Sequence, residues 1–288
     1  MPGNAQARLL KAPALDADAF VFDLEDGVAA RERALARSTI AAVLPTLQLR
    51  ERERIIRINP ISSADFELDM RALPFGHFDT LLVPKVERPE DLVILERQLG
   101  KAESACGLPA GGIRAILTLE TPLGIFNALA IAQASARCCG LFFGAGDYAA
   151  ATGIRISRET LQWPRSVIVA AAGAVGCDAI DTPYFGIRDP EGTFSDAVSS
   201  RHNGFSGKGV FHPLQIDPVH RALSPTDEEA AHAQRVIATF TEMSARGLGV
   251  ALVDNQFVAI DLLPRLKRLV QLHALARGRQ GATLEALT

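Results

Sequence analysis

Seven short apolar runs, each leading to a polar residue, recur along this chain at nearly constant intervals. They cover 19–23, 54–59, 80–84, 115–120, 141–144, 179–182 and 209–212, and the polar residues that close them are Asp23, Arg57, Lys85, Glu120, Asp147, Thr182 and His212. The steps between those residues are 34, 28, 35, 27, 35 and 30. Each step has room for a strand, a crossover helix and the next strand, and helix-patterned segments fill the gaps at 31–44, 89–99, 125–136, 158–174 and 189–203. Short apolar strands alternating with helices predict a parallel sheet covered on both faces. Uniform units with polar residues at the strand C-terminal ends favour a TIM (β/α)8 barrel over an open doubly wound sheet. The glycine fingerprint of a dinucleotide fold is missing: Gly144-Ala-Gly146-Asp-Tyr-Ala lacks its third glycine, and Gly207-Lys208-Gly209 does not fit a phosphate loop.

Seven runs leave the barrel one strand short. The first strand should precede Ala19 and is absent from the sequence, whose opening Pro2-Gly3-Asn4 reads as a turn before a helix at 5–12. The barrel domain is expected over 1–224. A C-terminal extension, 225–288, follows as helix, hairpin and helix: a charged helix at 227–245, strands at 249–253 and 257–260 around Asp254-Asn255, and a last helix from about Leu262. Asp-Asn suits a tight hairpin turn. This tail carries too little apolar surface to fold alone, so it is expected to pack on the barrel or on a neighbouring subunit.

Composition removes several function classes. A formal charge of −3 over 288 residues gives no general attraction to nucleic acid or to an anionic membrane. No apolar run approaches the ~18 residues of a membrane span, and the start lacks signal-peptide anatomy. Cys106, Cys138, Cys139 and Cys177 lack C-x-x-C spacing, which predicts reduced thiols in a cytoplasmic protein.

The chemistry is most legible at Glu120 and Asp147. On neighbouring parallel strands both carboxylates reach the same rim, and two hard oxygen ligands with space for water and substrate suit Mg2+. Metal-assisted chemistry on a small oxyacid follows; the alternative is a pair of rim carboxylates that salt-bridge Arg57 and Lys85. Arg57 suits substrate binding, or else neutralises Asp23 or Glu25. Asp23, Glu25 and Asp26 are not expected to face the site together, because alternate strand residues point to opposite faces; Asp26 equally suits capping the helix at 31–44. Lys85 reads as substrate contact, supporting charge or structural partner, and His212 as an acid–base group or a hydrogen-bonded rim residue.

Six strings occur in one order and spacing: Phe22-Asp23-Leu-Glu25-Asp26-Gly-Val, Arg57-Ile-Asn59, Leu82-Val-Pro-Lys85-Val-Glu87, Glu120-Thr-Pro-Leu-Gly124, Phe143-Gly-Ala-Gly-Asp147-Tyr and Phe211-His212-Pro-Leu-Gln215. In these the chain resembles the citrate lyase β-subunit and malyl-CoA lyase family of HpcH/HpaI-type aldolases, from Pro2 to about Leu269. The resemblance implies a Mg2+-dependent carbon–carbon lyase on a TIM barrel, cleaving or forming a 3-hydroxyacyl thioester such as malyl-, citramalyl- or citryl-CoA. The products would be acetyl- or propionyl-CoA and a 2-oxo acid. It puts the metal ligands on Glu120 and Asp147 and the enolate-stabilising arginine on Arg57. Metal-bound waters and the substrate pocket fall on Asp23, Glu25 and Asp26. By the same resemblance Asp261, supplied by a neighbouring subunit, would be the proton donor, and the working unit is expected to be a trimer or a multiple of one. Arg8 and Lys11 are candidates for contact with coenzyme A phosphates; the alternative is solvated surface.

Three departures accompany the resemblance. Only Pro2-Gly3 matches the end of the family's opening strand, Leu214 replaces a serine of the His-Pro-Ser-Gln string, and Pro264 is displaced by one residue after Asp261. For Asp261 a plain helix N-cap is the alternative. Three rival functions share the fold: a citrate lyase β-subunit acting on citryl-acyl-carrier protein, a pyruvate-type aldolase that uses no thioester, and an impaired barrel that only binds acyl-CoA or a partner protein.

Overall fold

The computed structural model describes residues 1–245, 250–253 and 256–285. The chain divides into two compact units, Met1–Pro218 and a second from Val219 onward.

In the first unit seven strands form one parallel sheet in strict chain order: β1 (Ala19–Asp23), β2 (Glu53–Arg57), β3 (Thr80–Val83), β4 (Arg114–Leu119), β5 (Cys138–Phe143), β6 (Asp178–Asp181) and β7 (Gly207–Lys208). An order that never reverses is that of a TIM-like barrel; a doubly wound sheet turns back at a switch point. Alternation along the strands separates two apolar layers. Ile55, Leu82 and Ile116 pack with Val21, Phe142 and Ile180 on one face. Phe22, Ile56, Leu81, Leu117, Leu141 and Phe143 join the larger core on the other. Helices cover that second face with residues spaced by three or four, as in Arg33–Val43, which buries Ala36, Ile40 and Val43. Pro89–Cys106 buries Leu92, Leu95 and Leu99 in the same way.

An eighth strand ahead of Ala19 is not present among the described residues. Along that edge of β1 the first three residues make a short parallel pairing. The Asp23 amide donates to the Met1 carbonyl at 2.9 Å, and the Gly3 amide to the Asp23 carbonyl at 2.8 Å. The opening helix is shorter than expected, Gln6–Leu9, with a separate 3-10 turn at Ala12–Ala14 where Pro13 removes a donor. The seventh strand also differs from expectation. It pairs at Gly207–Lys208 rather than 209–212, because the buried Gln215 side chain takes the Phe211 and His212 amides and turns the chain away from the sheet. The helix expected at 125–136 is broken at Asn127 into Pro122–Phe126 and Ala128–Gln133.

The second unit contains the helix Asp227–Ala245, the antiparallel pair β8 (Val250–Val253) and β9 (Gln256–Ala259), and the helix Leu263–Glu285. Its core is small, with Val236, Phe240 and Val258 backed by Met243, Leu263 and Leu266. The expected turn at Asp254-Asn255 lies outside the described residues. Among the described residues no helix is long and apolar enough to cross a membrane.

Candidate active site

The C-terminal ends of β1 to β5 bring a dense charge cluster together. Asp23 and Arg57 close β1 and β2 in direct register. Their side chains form a two-pronged pair, Nε to Oδ1 at 2.7 Å and Nη2 to Oδ2 at 2.6 Å. Burial alone would push the Asp23 carboxyl up, but the Arg57 guanidinium holds it below the usual carboxylate range. The other oxygen sites of Asp23 shape the loop that follows, accepting from the Glu25 amide and from the Gly27 amide, both at 2.9 Å. That turn requires glycine: a Cβ at Gly27 would stand 2.2 Å from Asp23 Oδ2.

The turn overturns the expectation that strand alternation keeps the three acids apart. Leaving the strand at Leu24 frees Glu25 to reach Arg57 Nη1 at 3.1 Å and Lys85 Nζ at 2.8 Å. Asp26 meets Lys85 at 3.2 Å instead of capping the following helix. Burial raises the Glu25 carboxyl above its ordinary value despite both cations. Lys85 Nζ also lies 4.0 Å from Asp147. Burial would lower the Lys85 ammonium, and Glu25 and Asp26 reverse this and raise it.

Lys85 has a second task that the sequence does not announce. Its backbone is left-handed, φ 53°, an uncommon conformation for a residue with a side chain. In that pose its amide donates to Glu120 Oε1 at 2.8 Å. Glu120 is 5% exposed, and burial, with Asp147 beside it, pushes its carboxyl up to about 8; the Lys85 amide works weakly the other way. Gly144 allows this crowding, since a Cβ there would lie 2.3 Å from Glu120 Oε2. Gly27 and Gly144 are thus positions this packing needs and that sequence reasoning missed. The sequence shows only a glycine in the loop after each strand, four residues past Asp23 and directly after Phe143.

Five carboxyl groups (Asp23, Glu25, Asp26, Glu120, Asp147) therefore share two side-chain cations, Arg57 and Lys85, with the Met1 ammonium as a third positive group beside Asp23. An anionic excess beside a partly solvated mouth favours a divalent cation. Among the described residues no three His, Cys, Asp or Glu side chains form a ready metal cage. Two adjacent carboxylates match the donor set of Mg2+, which keeps several waters or substrate oxygens.

The other candidate residues are carried by other elements. Arg8 and Lys11 are exposed near the start of the chain and join none of the rim ion pairs among the described residues. Asp261 is exposed in the 3-10 turn Ile260–Leu262 of the second unit, immediately before the helix Leu263–Glu285. His212 is not at a strand end; its Nδ1 accepts from the Leu214 amide at 3.2 Å and caps the turn Pro213–Gln215.

Known proteins match along most of this length. The profile of the family described as HpcH/HpaI aldolase/citrate lyase matches residues 1–213. The citrate lyase subunit beta of Haemophilus influenzae is 32% identical, over 94% of this chain and 94% of its own. A (3S)-malyl-CoA thioesterase of Cereibacter sphaeroides is 33% identical over 97% of this chain and 95% of its own. Among solved structures, protein CitE of Mycobacterium tuberculosis in complex with magnesium, acetoacetate and coenzyme A superposes with a TM-score of 0.75 at 29% identity. That match covers 95% of this chain and 96% of the other.

Proposed function

Since the chain belongs to the HpcH/HpaI aldolase/citrate lyase family, we propose that it is a Mg2+-dependent carbon–carbon lyase acting on a 3-hydroxyacyl-CoA thioester of the malyl, citramalyl or citryl type. The observation that carries the reading is the buried Glu120 carboxyl. It is raised to about 8 against Asp147 and stands on the same rim as a clamped guanidinium. A buried carboxyl shifted this far beside a second, half-exposed acid is typical of functional sites.

In this reading Glu120 and Asp147 hold the ion. Bound there, Mg2+ would polarise the oxygen that becomes the keto group of the departing 2-oxo acid. The chain's own residues do the rest. Glu25, its carboxyl raised from its ordinary value by burial, is the base for the hydroxyl proton. Arg57, fixed by Asp23 and Glu25, faces the negative charge that develops on the thioester enolate. Lys85 limits repulsion among the acids, and Asp26 closes the loop over it. Asp261, brought by a neighbouring subunit of a trimer or a multiple of one, returns a proton to the enolate carbon. Arg8 and Lys11 meet the phosphates of coenzyme A. The free thiols of the four cysteines accord with a cytoplasmic setting.

The test is mass-spectrometric analysis of products from malyl-, citramalyl- and citryl-CoA with Mg2+. An acyl-CoA and a 2-oxo acid in equal amounts, lost on chelation, are expected. Free coenzyme A with an uncleaved hydroxy acid would instead assign a thioesterase. Turnover of citryl-acyl-carrier protein alone would assign a citrate lyase β-subunit. Cleavage of free hydroxy-oxo acids without a thioester would assign a pyruvate-type aldolase.

A further inference from the structure

Arg57 can act only if the loop that clamps it is itself held, and the hold comes from one side chain two residues along β2's path. Leu24 lies between the two acids that grip Arg57. Its amide donates to the Arg57 carbonyl at 2.9 Å, and its carbonyl accepts from Asn59 Nδ2 at 3.0 Å. The second Nδ2 hydrogen of Asn59 goes to Asp69 Oδ2 at 2.8 Å, and the Asn59 backbone amide reaches the same oxygen at 2.7 Å. Asp69 is fully buried on the helix Ala64–Ala72, and its other oxygen accepts from Arg37 Nε at 2.7 Å.

The orientation of this amide is fixed by chemistry. Both partners of Nδ2 are acceptors only, so a flipped amide would set its oxygen against a carbonyl and a carboxylate. The amide oxygen, meanwhile, is buried with no hydrogen-bond partner among the described residues. Such an orphan carries a cost, and the cost is borne only to keep both donors directed at Leu24 and Asp69. An aliphatic side chain would spare that oxygen but leave the Leu24 carbonyl without its Nδ2 donor and Asp69 with one donor fewer.

We propose that Asn59 and Asp69 are positioning residues: Asp69 aims the Asn59 amide at the Leu24 carbonyl, which fixes Glu25 and Asp23 and thereby the angle of the Arg57 guanidinium. The proposal rests on the reading of Arg57 as the enolate-facing cation. Neither residue is placed to touch substrate; both act through the loop 24–27.

The experiment compares Asn59→Ala and the milder Asn59→Ser with Glu103→Gln, a variant that disturbs a buried ion pair away from the rim. Three quantities are read: kcat, KM for the thioester, and the 15N side-chain resonance of Arg57 Nε in the free protein. Both Asn59 variants should lose about ten- to a hundredfold in kcat, as small displacements at a reacting centre do. KM should shift by less than about threefold, and the Arg57 Nε signal should broaden as its bond to Asp23 loosens. Glu103→Gln should melt lower yet keep both kcat and the Arg57 signal. The proposal is overturned if the Asn59 variants keep both, if Glu103→Gln loses both alike, or if neither Asn59 variant folds, which would make the amide a folding element. Should the wild-type protein cleave no thioester, the functional reading fails by itself, and the Arg57 resonance still decides whether Asn59 holds the loop.

Discussion

The two ends of β4 and β5 bury a glutamate each and treat it in opposite ways. Where these strands begin, Glu103 is 1% exposed and fully satisfied. It takes two bonds from Arg137, at 2.5 and 2.7 Å, and one each from the Gly111 and Ile113 amides at 3.0 Å. Arg137 and those amides hold its carboxyl down at about 2. Where the strands end, Glu120 is almost as inaccessible to solvent but lies deeper, receives one backbone amide and faces a second carboxylate, and burial first of all, then Asp147, pushes its carboxyl up to about 8. Both side chains are closed to solvent; depth and compensation differ. A completed pair holds the structure, whereas an uncompensated one waits for a partner that is not part of the chain.

The largest effect should separate the two ends by activity. Glu120→Gln or Asp147→Asn should lower Mg2+-dependent turnover by about a thousandfold or more, the equivalent of several kcal/mol of charge stabilisation, with the fold retained by circular dichroism. Full turnover with an unchanged Mg2+ titration in either variant would remove the metal from these residues. Glu103→Gln should do the reverse. It should cost about 3–5 kcal/mol of stability in denaturant unfolding, because Arg137 is left buried without its main partner, while turnover per folded molecule stays at the wild-type value.

Arg57→Lys comes next. The charge stays but the planar fork that grips Asp23 in two places is lost. Steady-state kinetics should show kcat down by about a hundredfold, the scale of one missing donor to a developing anion. A change confined to KM would mean that Arg57 binds substrate and transition state alike.

Acidity sharpens the contrast at a smaller amplitude. Glu103 is depressed, so its contribution to stability is present above the ordinary carboxylate range and disappears as pH falls from there towards about 2. Glu120 is raised, so between the ordinary range and about 8 the folded protein binds more protons than the unfolded chain. Metal-free stability should therefore fall as pH climbs through that window. Melting temperatures without Mg2+ should show this decline, and Glu120→Gln should flatten it. A flat wild-type profile would contradict the environment assigned to Glu120.

Much of the fold could be read in advance because apolar runs and their polar ends report β1 to β6 directly. The proximity of Glu120 and Asp147 was visible for the same reason, although Asp147 lies not at a strand end but in the first turn of the helix Ala145–Thr152 that follows β5. The reading failed where tertiary geometry overrides periodicity. Glu25 and Asp26 join Asp23 because the chain turns at Gly27, outside the alternation rule. The amide of Lys85 reaches Glu120 only through a left-handed backbone that no side-chain pattern signals. Gln215 shortens β7 from outside the strand. Glu103 and Arg137 stand 34 residues apart in no motif, so nothing in the sequence distinguished them from surface charge.

The most direct test of the account is calorimetric titration of Mg2+ into the wild-type protein at pH 7, repeated in buffers of different ionisation enthalpy. With Glu120 raised to about 8, its carboxyl is mostly protonated at that pH and must lose its proton to hold the ion. The account predicts release of close to one proton for each Mg2+ bound, with both the binding and the release lost in Glu120→Gln. Binding that releases no proton, or that survives unchanged in Glu120→Gln, would contradict it.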